Sequence, residues 1–155
     1  MLLGIFFIGI IALLAVDQLS KWIVLNTLTK VETIPLINGV FHLTYCENRG
    51  AAFGILQNKV WVFVIITVAV LAAVIYYMLR YRPKSKWLNF SLILLVGGAL
   101  GNFADRICRG YVVDFFDFCL INFPIFNVAD CFVVVGAVML AGYLIFSEYH
   151  KEKKQ

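Results

Sequence analysis

The chain has little charge, and two long stretches have none. Asp, Glu, Lys and Arg make up 14% of its 155 residues, whereas 63% are hydrophobic. No charged residue occurs from Val60 to Leu79 or from Trp87 to Ala104. Soluble domains are about 45–50% apolar, so this composition excludes an ordinary soluble protein. No linker or low-complexity segment appears either, and we expect residues 1–155 to form a single integral membrane domain.

Motifs for several common catalytic and metal-binding chemistries are also absent. The chain contains only two histidines, His42 and His150, and it has no H-E-x-x-H, G-x-S-x-G or C-x-x-C sequence. A zinc peptidase helix is therefore excluded, and neither a serine nucleophile nor a cysteine metal site is indicated. The cysteines are Cys46, Cys108, Cys119 and Cys131, and their spacing favours no disulfide pairing. We expect no metal and no cofactor, which leaves carboxylates for catalysis.

Four segments are long and apolar enough to span a bilayer, which requires about 20 residues per helix. They cover approximately residues 2–25, 60–79, 87–104 and 124–146. The predicted fold class is therefore an all-α membrane protein with four transmembrane helices. A small extracytoplasmic β-sheet is expected between helices 1 and 2, at about residues 26–59.

The sheet is predicted from a turn signal and an alternating pattern. Asn38-Gly39 is typical of a hairpin turn, and apolar and polar residues alternate from Phe41 to Tyr45, as in a half-buried strand. The small residues of the following sequence, Asn48 to Gly54, allow close approach of a substrate or another chain segment. An ordinary tight loop is the alternative that we prefer for that segment.

The distribution of basic residues predicts the topology. Lys and Arg are enriched in cytoplasmic loops, and here they cluster in the turn between spans two and three and in the C-terminal tail. These residues are Arg80, Arg82, Lys84, Lys86, Lys151, Lys153 and Lys154. Both termini are therefore expected in the cytoplasm. The net charge of +4 indicates this topology and an attraction to anionic membrane lipids, with no nucleic-acid partner.

With this topology, the rare polar residues of the spans fall at one depth, near the outer leaflet. They are Asp17, Lys21, Asn102, Asp105, Arg106 and Asp130. A site at this level is the functional interpretation. Ion pairs that tie helix ends together are the structural alternative, because Asp17 and Lys21 are four residues apart on one helical face. Small residues at Gly97 and Gly101 indicate close helix packing.

Asp114 and Asp130 are the strongest candidates for chemistry. Carboxylates close to hydrocarbon are costly and commonly functional. Two that lie together hold one proton between them, so one can activate water while the other protonates a carbonyl oxygen. The structural alternatives are a turn position for Asp114 and, for Asp130, the third position of a helix capped by Asn127.

Five short motifs, in order, resemble the lipoprotein signal peptidase (signal peptidase II) family over nearly the whole chain. They are D-Q-x-x-K at Asp17 to Lys21, N-x-G-A-A-F-G at Asn48 to Gly54, G-N-x-x-D-R at Gly101 to Arg106, V-V-D-F at Val112 to Phe115, and F-N-x-A-D at Phe126 to Asp130. Arg49 occupies a position that we regard as variable in the family.

The resemblance implies an aspartic endopeptidase of the bacterial cytoplasmic membrane. Such enzymes remove the signal peptide from diacylglyceryl-modified prolipoproteins and cleave just before the lipidated cysteine. By match to the motifs, Asp114 and Asp130 would be catalytic. The expected substrate-binding or site-supporting residues are Asp17, Lys21, Asn48, Gly50, Asn102, Asp105, Arg106 and Asn127.

Three other functions explain less of the sequence. A small proton-coupled transporter would relay protons through Asp17, Asp114 and Asp130, but a relay should distribute acids through the bilayer, and spans two and three are uncharged along their length. A structural scaffold would explain the glycines and leave the two aspartates without a role. A GxGD-type membrane protease lacks its motif here.

Overall fold

A computed structural model describes residues 2–50 and 59–152. Four helices dominate it: α1 (Leu2–Thr27), α2 (Val60–Tyr81), α3 (Lys86–Cys108) and α4 (Val128–Glu152). All four are long and apolar enough to cross a membrane, so the chain is a multi-pass membrane protein. Most of the predicted loop from Asn48 to Gly54, together with Lys153 and Lys154, lies outside the described residues.

All four helices end later than the predicted spans, and α4 also begins later. The apolar run beginning at Pro124 suggested a helix from about residue 124, but α4 begins at Val128. The residues from Phe123 to Asn127 are not helical, and Phe126 forms an isolated β-bridge with Phe116. The first turn of α3 is defined by Ser85, whose side chain caps the helix by accepting a hydrogen bond from the backbone nitrogen of Leu88.

Helix α3 is the central helix and packs against all three others. Its apolar contacts form a core of buried side chains from three helices, which are Phe6, Ile10, Met78, Leu88, Leu92, Ile93 and Val96. The glycines of α3 permit close approach. A Cβ added at Gly97 would lie 2.9 Å from Leu13 of α1, and one at Gly98 would meet the backbone oxygen of Ala129 in α4. The predicted role of the glycines in packing agrees with these contacts.

The small sheet is antiparallel and has three strands in the order β1 (Thr33–Ile37), β2 (Phe41–Asn48) and β3 (Val112–Asp117). Strands β1 and β2 form the predicted hairpin, with Gly39 at a φ of 70° in the turn. The sheet between helices 1 and 2 is therefore confirmed. The sequence interpretation missed β3, which lies between α3 and α4 and pairs with β2.

A second apolar cluster attaches the sheet to the end of α1. Val24 of α1 and Leu28 just after it pack with Val113 and Phe115 of β3, and all four side chains are buried. Because β3 enters this cluster directly after α3, its backbone lies beside the helix ends that carry most of the polar residues. This arrangement places Asp114 next to the polar side chains of α1, α3 and α4.

Candidate active site

Asp114 lies in the middle of β3, opposite Cys46 of β2, and only 1% of its surface is exposed. The alternative of a turn position is therefore wrong. Its two oxygens accept hydrogen bonds from different amides, at 2.9 Å from Asn48 Nδ2 and 2.6 Å from Asn127 Nδ2. Both donors are neutral, so the carboxyl group is solvated by amides in place of water.

Asp130 occupies the first turn of α4, as the helix-capping alternative predicted. Its backbone nitrogen donates to Asn127 Oδ1 at 3.0 Å, and its Oδ2 accepts from the backbone nitrogen of Asn127 at 3.1 Å. This reciprocal pair resembles a capping box. The other oxygen, Oδ1, accepts from Asn102 Nδ2 at 2.8 Å. Capping therefore holds one oxygen of Asp130, and the second points to a side chain of α3.

Asn127 connects the two aspartates. It is fully buried, and its amide donates both to Asp114 and to Asn102 Oδ1, the latter at 3.0 Å. Burial, followed by the negative charge of Asp130, raises the pKa of Asp114 from its usual 3.8 to about 7. The carboxyl group of Asp114 can therefore hold or release a proton near neutral pH.

An ionic cluster lies behind the aspartates, with Lys21, Asp17 and Asp105 fully buried and Arg109 partly exposed. Lys21 Nζ is 2.9 Å from Asp17 Oδ2 and 3.0 Å from Asp105 Oδ2, and Arg109 pairs with the other oxygen of Asp105. Asp17 also accepts a hydrogen bond from the backbone nitrogen of Ala129 at 3.0 Å. Asp105 accepts one from the backbone nitrogen of Val113 at 3.1 Å. Each contact anchors the residue just before a candidate catalytic aspartate.

Arg106 connects α3 to two other parts of the chain. Its guanidinium donates to the backbone oxygen of Gly50 at 3.1 Å and lies 4.7 Å from the centre of the Phe63 ring in α2. Gly50 in turn donates its backbone N–H to Asn48 Oδ1 at 3.0 Å. These contacts fix the end of β2 against α3 and orient Asn48 toward Asp114.

The two aspartates line a cavity of about 620 Å³. Its polar wall is formed by Asn48, Asn102, Arg106, Asp114 and Asp130, and the remaining wall is mostly apolar. Lining residues also come from the segment before α4 and from the exposed face of α4, including Val134, which is 61% exposed. A cavity with this lining is suited to an extended, largely apolar ligand whose polar bond lies beside the carboxylates.

The structure therefore brings together the residues selected from the sequence, and it adds two. Gln18 donates to Asp17, to Asp105 and to the backbone oxygen of Gly101, and Arg109 completes the pairing of Asp105. The four-residue spacing between Asp105 and Arg109 was the sequence signal that could have identified Arg109. Within residues 2–50 and 59–152, His, Cys, Asp and Glu form no group arranged to hold a metal ion.

The chain is similar to known proteins over most of its length. The family model for signal peptidase (SPase) II matches residues 9–146. The lipoprotein signal peptidase of Clostridioides difficile (strain 630) is 55% identical over 140 residues, which are 90% of this chain and 93% of that protein. That of Clostridium acetobutylicum is 47% identical over 142 residues, covering 90% and 92% of the two chains.

Two solved structures have the same fold. A bacterial membrane enzyme determined by the in meso method at 2.3 Å resolution aligns with a TM-score of 0.88 and 32% identity, over 98% of this chain and 94% of that one. A second, at 1.9 Å, aligns with a TM-score of 0.80 and 34% identity, over 91% and 92%. With sequence and fold similar over nearly its full length, the chain belongs to the signal peptidase II family and is a membrane peptidase.

Proposed function

We propose that this protein is an aspartic endopeptidase that removes signal peptides from diacylglyceryl-modified bacterial prolipoproteins and cleaves just before the lipidated cysteine. Asp114 and Asp130 are its catalytic residues. The observation that carries the proposal is the sharing of Asn127 by two carboxylates on the polar wall of an otherwise apolar cavity. The family match supports a peptidase and gives the transporter alternative no support.

The proposed reaction needs only the two carboxyl groups and one water molecule. The ionised carboxylate takes a proton from water as the water oxygen attacks the scissile carbonyl carbon. The protonated partner simultaneously gives its proton to the carbonyl oxygen, which yields a neutral diol. The carboxyl group that took a proton from water then gives it to the amide nitrogen as the C–N bond breaks. Its partner, which protonated the carbonyl oxygen, recovers a proton from a diol hydroxyl. No metal or cofactor takes part in these steps.

The surrounding residues have supporting roles in this proposal. Asn48, Asn102 and Asn127 donate hydrogen bonds to the carboxyl groups. Lys21 and its acidic partners hold the backbone of β3 and of the first turn of α4. The contact of Arg106 with Gly50 keeps the end of β2 at the cavity, where Asn48 Nδ2 can also meet substrate backbone.

The proposed location is the bacterial cytoplasmic membrane, with both termini in the cytoplasm and the cavity near the outer leaflet. Arg80, Arg82 and Lys84 lie at the opposite end of the bundle from the carboxylates, which supports this orientation. A signal peptide could then lie along the apolar faces of the helices. The diacylglyceryl group would remain in the lipid, so that the scissile bond reaches the polar wall.

The products of the reaction test this function. Purified protein in detergent, with and without a chelator, would be incubated with a diacylglyceryl-modified prolipoprotein and with its unmodified form, and the products identified by mass spectrometry. We expect one cut in the modified protein, with the lipidated cysteine as the new N-terminus, and far slower cleavage of the unmodified form.

Two results would contradict the proposal. Cleavage at another bond, or equal rates on the two forms, would remove the lipoprotein specificity. Loss of cleavage on adding the chelator, restored by a divalent metal, would contradict the metal-free aspartic mechanism.

An Asp117→Asn variant is a matched control for substitutions of the candidate aspartates, because Asp117 lies on the same strand and accepts a hydrogen bond from Thr44 Oγ1 at 2.8 Å.

A further inference from the structure

Three amides surround the two aspartates, Asn127 fully buried and Asn48 and Asn102 partly so, and an obligate donor fixes the orientation of each. Gly50 N–H donates to Asn48 Oδ1, and Asp130 N–H donates to Asn127 Oδ1. Asn102 Oδ1 accepts two hydrogen bonds, from Lys21 Nζ at 2.9 Å and from Asn127 Nδ2 at 3.0 Å. Ammonium and backbone N–H groups cannot accept hydrogen bonds. Each amide therefore turns its oxygen to the donor and its NH₂ group to a carboxylate.

Lys21 is the only one of these donors that carries a charge. Its ammonium has three hydrogens, and three oxygens surround it, from Asp17, Asp105 and Asn102. The side chain is completely buried, so bulk solvent does not reach these contacts. A rotated Asn102 would place its NH₂ group against the ammonium and its oxygen against Asp130, which is unfavourable on both sides.

The environments of the two carboxyl groups differ as a result. Asp130 receives the Asn102 N–H, which Lys21 polarises, and a backbone N–H at the start of α4, where the helix dipole favours negative charge. Asp114 is on a strand, is 1% exposed and receives hydrogen bonds from two neutral amides. Burial and the charge of Asp130 raise the pKa of Asp114 to about 7, in agreement with a protonated Asp114.

On the basis of the proposed aspartic mechanism, we propose that Lys21 is a positioning residue that assigns the shared proton. Together with the Asn127 amide, its ammonium holds the Asn102 amide with the NH₂ group toward Asp130, and the ammonium alone supplies the charge that polarises that group. Asp130 is then the ionised carboxylate that activates water, and Asp114 is the acid that protonates the carbonyl oxygen. Lys21 does not touch the substrate and acts through Asn102.

The other charged and titratable groups around Asp130 define what the test must hold constant. They are Asp114 on β3, Arg106 and Asp105 on α3, Cys131 on α4, and Asp17 with Lys21 on α1. Replacement of Lys21 alone would leave Asp17 and Asp105 with one cation, Arg109, and could prevent folding. A charge-balanced substitution avoids this problem.

The test compares the pH dependence of kcat in three variants. The double variant Lys21→Met/Asp17→Asn removes one charge of each sign, and the asparagine introduced at position 17 can still accept a hydrogen bond from Ala129 N–H. Asp17→Asn alone keeps the contact between Lys21 and Asn102. Asn102→Leu keeps the ionic cluster and removes the N–H donor of Asp130. Thermal unfolding in detergent verifies that each variant is folded.

The acidic limb of the kcat profile reports ionisation of the general base. We expect it to move to higher pH by about one unit in Asn102→Leu, because the base loses a hydrogen bond to its charged form. In the double variant Asn127 still donates to Asn102 Oδ1, so the hydrogen bond to the base remains but is no longer polarised by a cation, and we expect a smaller shift in the same direction. In Asp17→Asn it should stay or move to lower pH, since the site gains net positive charge.

An acidic limb at the wild-type pH in Asn102→Leu, or in a folded double variant, would overturn the proposal even if kcat fell at every pH. That outcome is distinct from failure of the proposed function. If Asp130→Asn or Asp114→Asn retained cleavage, the aspartic mechanism itself would be wrong. If both variants lost cleavage and the acidic limb of the kcat profile did not move, only the proposed role of Lys21 would be wrong.

Discussion

Gly101 lies where α3 meets the residues that hold the site, and its replacement tests that packing. A Cβ at this position would be 2.5 Å from Asp17 Oδ2, 2.9 Å from Asp17 Cγ and 3.1 Å from the Cβ of Ala129. Because ordinary contact begins at 3.4 Å, Gly101→Ala must displace Asp17 by about 1 Å. Asp17 holds the backbone nitrogen of Ala129, so the first turn of α4 and Asp130 would shift with it.

The expected effect is large for the addition of one methyl group. Overpacking of this kind costs about 1–3 kcal/mol of stability, and a misplacement of about 1 Å can lower a catalytic rate about 100-fold. We therefore expect Gly101→Ala to lower kcat by about two orders of magnitude and to reduce Tm. Steady-state cleavage of a lipidated prolipoprotein and thermal unfolding in the same detergent measure both quantities.

Gly142→Ala is the matched control. Gly142 is also within a membrane-spanning helix, but nothing lies within 4 Å of the position that its Cβ would take. Its kcat and Tm should stay close to those of the wild type. The reasoning would be refuted if Gly101→Ala were as active and as stable as Gly142→Ala, because Asp17 would then not be held against α3 as described.

Three further predictions concern the cavity and its carboxyl groups. Asn127→Leu removes a donor to Asp114, which becomes a carboxylate as it protonates the carbonyl oxygen. At about 1.5–3 kcal/mol for a hydrogen bond to a charged group, kcat should fall roughly 10- to 100-fold; a change below twofold would contradict this. The raised pKa of Asp114, about 7 against 3.8 when unfolded, gives a contribution to stability that is complete below pH 3.8 and lost as pH rises through about 7. The Tm of Asp114→Asn minus the Tm of the wild type should therefore be larger at alkaline than at acidic pH. An equal difference at both pH values would argue against the raised pKa. Val134→Trp should block the cavity and abolish cleavage with Tm unchanged, whereas Val138→Trp, one turn further along α4 and outside the cavity lining, should remain active.

The helices could be predicted because their signal is local. Runs such as Val60 to Leu79 contain no charge, and in lipid such a run satisfies its backbone hydrogen bonds only as a helix or in a closed barrel. The hairpin was predictable for the same reason, since Asn38-Gly39 specifies its own turn. Local signals also placed Asp17 with Lys21 and Asp130 with Asn127, because these pairs are three or four residues apart.

The third strand and the contacts between elements could not be predicted in this way. Strand β3 is a short segment whose apolar and acidic residues do not alternate. Its partner β2 lies far away in the sequence, so only the folded chain brings Cys46 opposite Asp114. The anchoring of Val113 by Asp105 likewise depends on the position of the strand relative to α3. The late start of α4 has a similar cause, because Phe126 is held in an extended conformation by its bridge to Phe116.

The central claim is that Asp114 and Asp130 together perform the hydrolysis. Single-turnover cleavage of a diacylglyceryl-modified prolipoprotein by Asp114→Asn, Asp130→Asn and the control Asp117→Asn tests it most directly, with folding verified by thermal unfolding. General acid and base catalysis each contribute about 10²–10⁴-fold, so we predict a loss of that size or greater in each of the first two variants and a near wild-type rate in the third. A folded Asp114→Asn or Asp130→Asn variant that cleaves at the wild-type rate would contradict the claim.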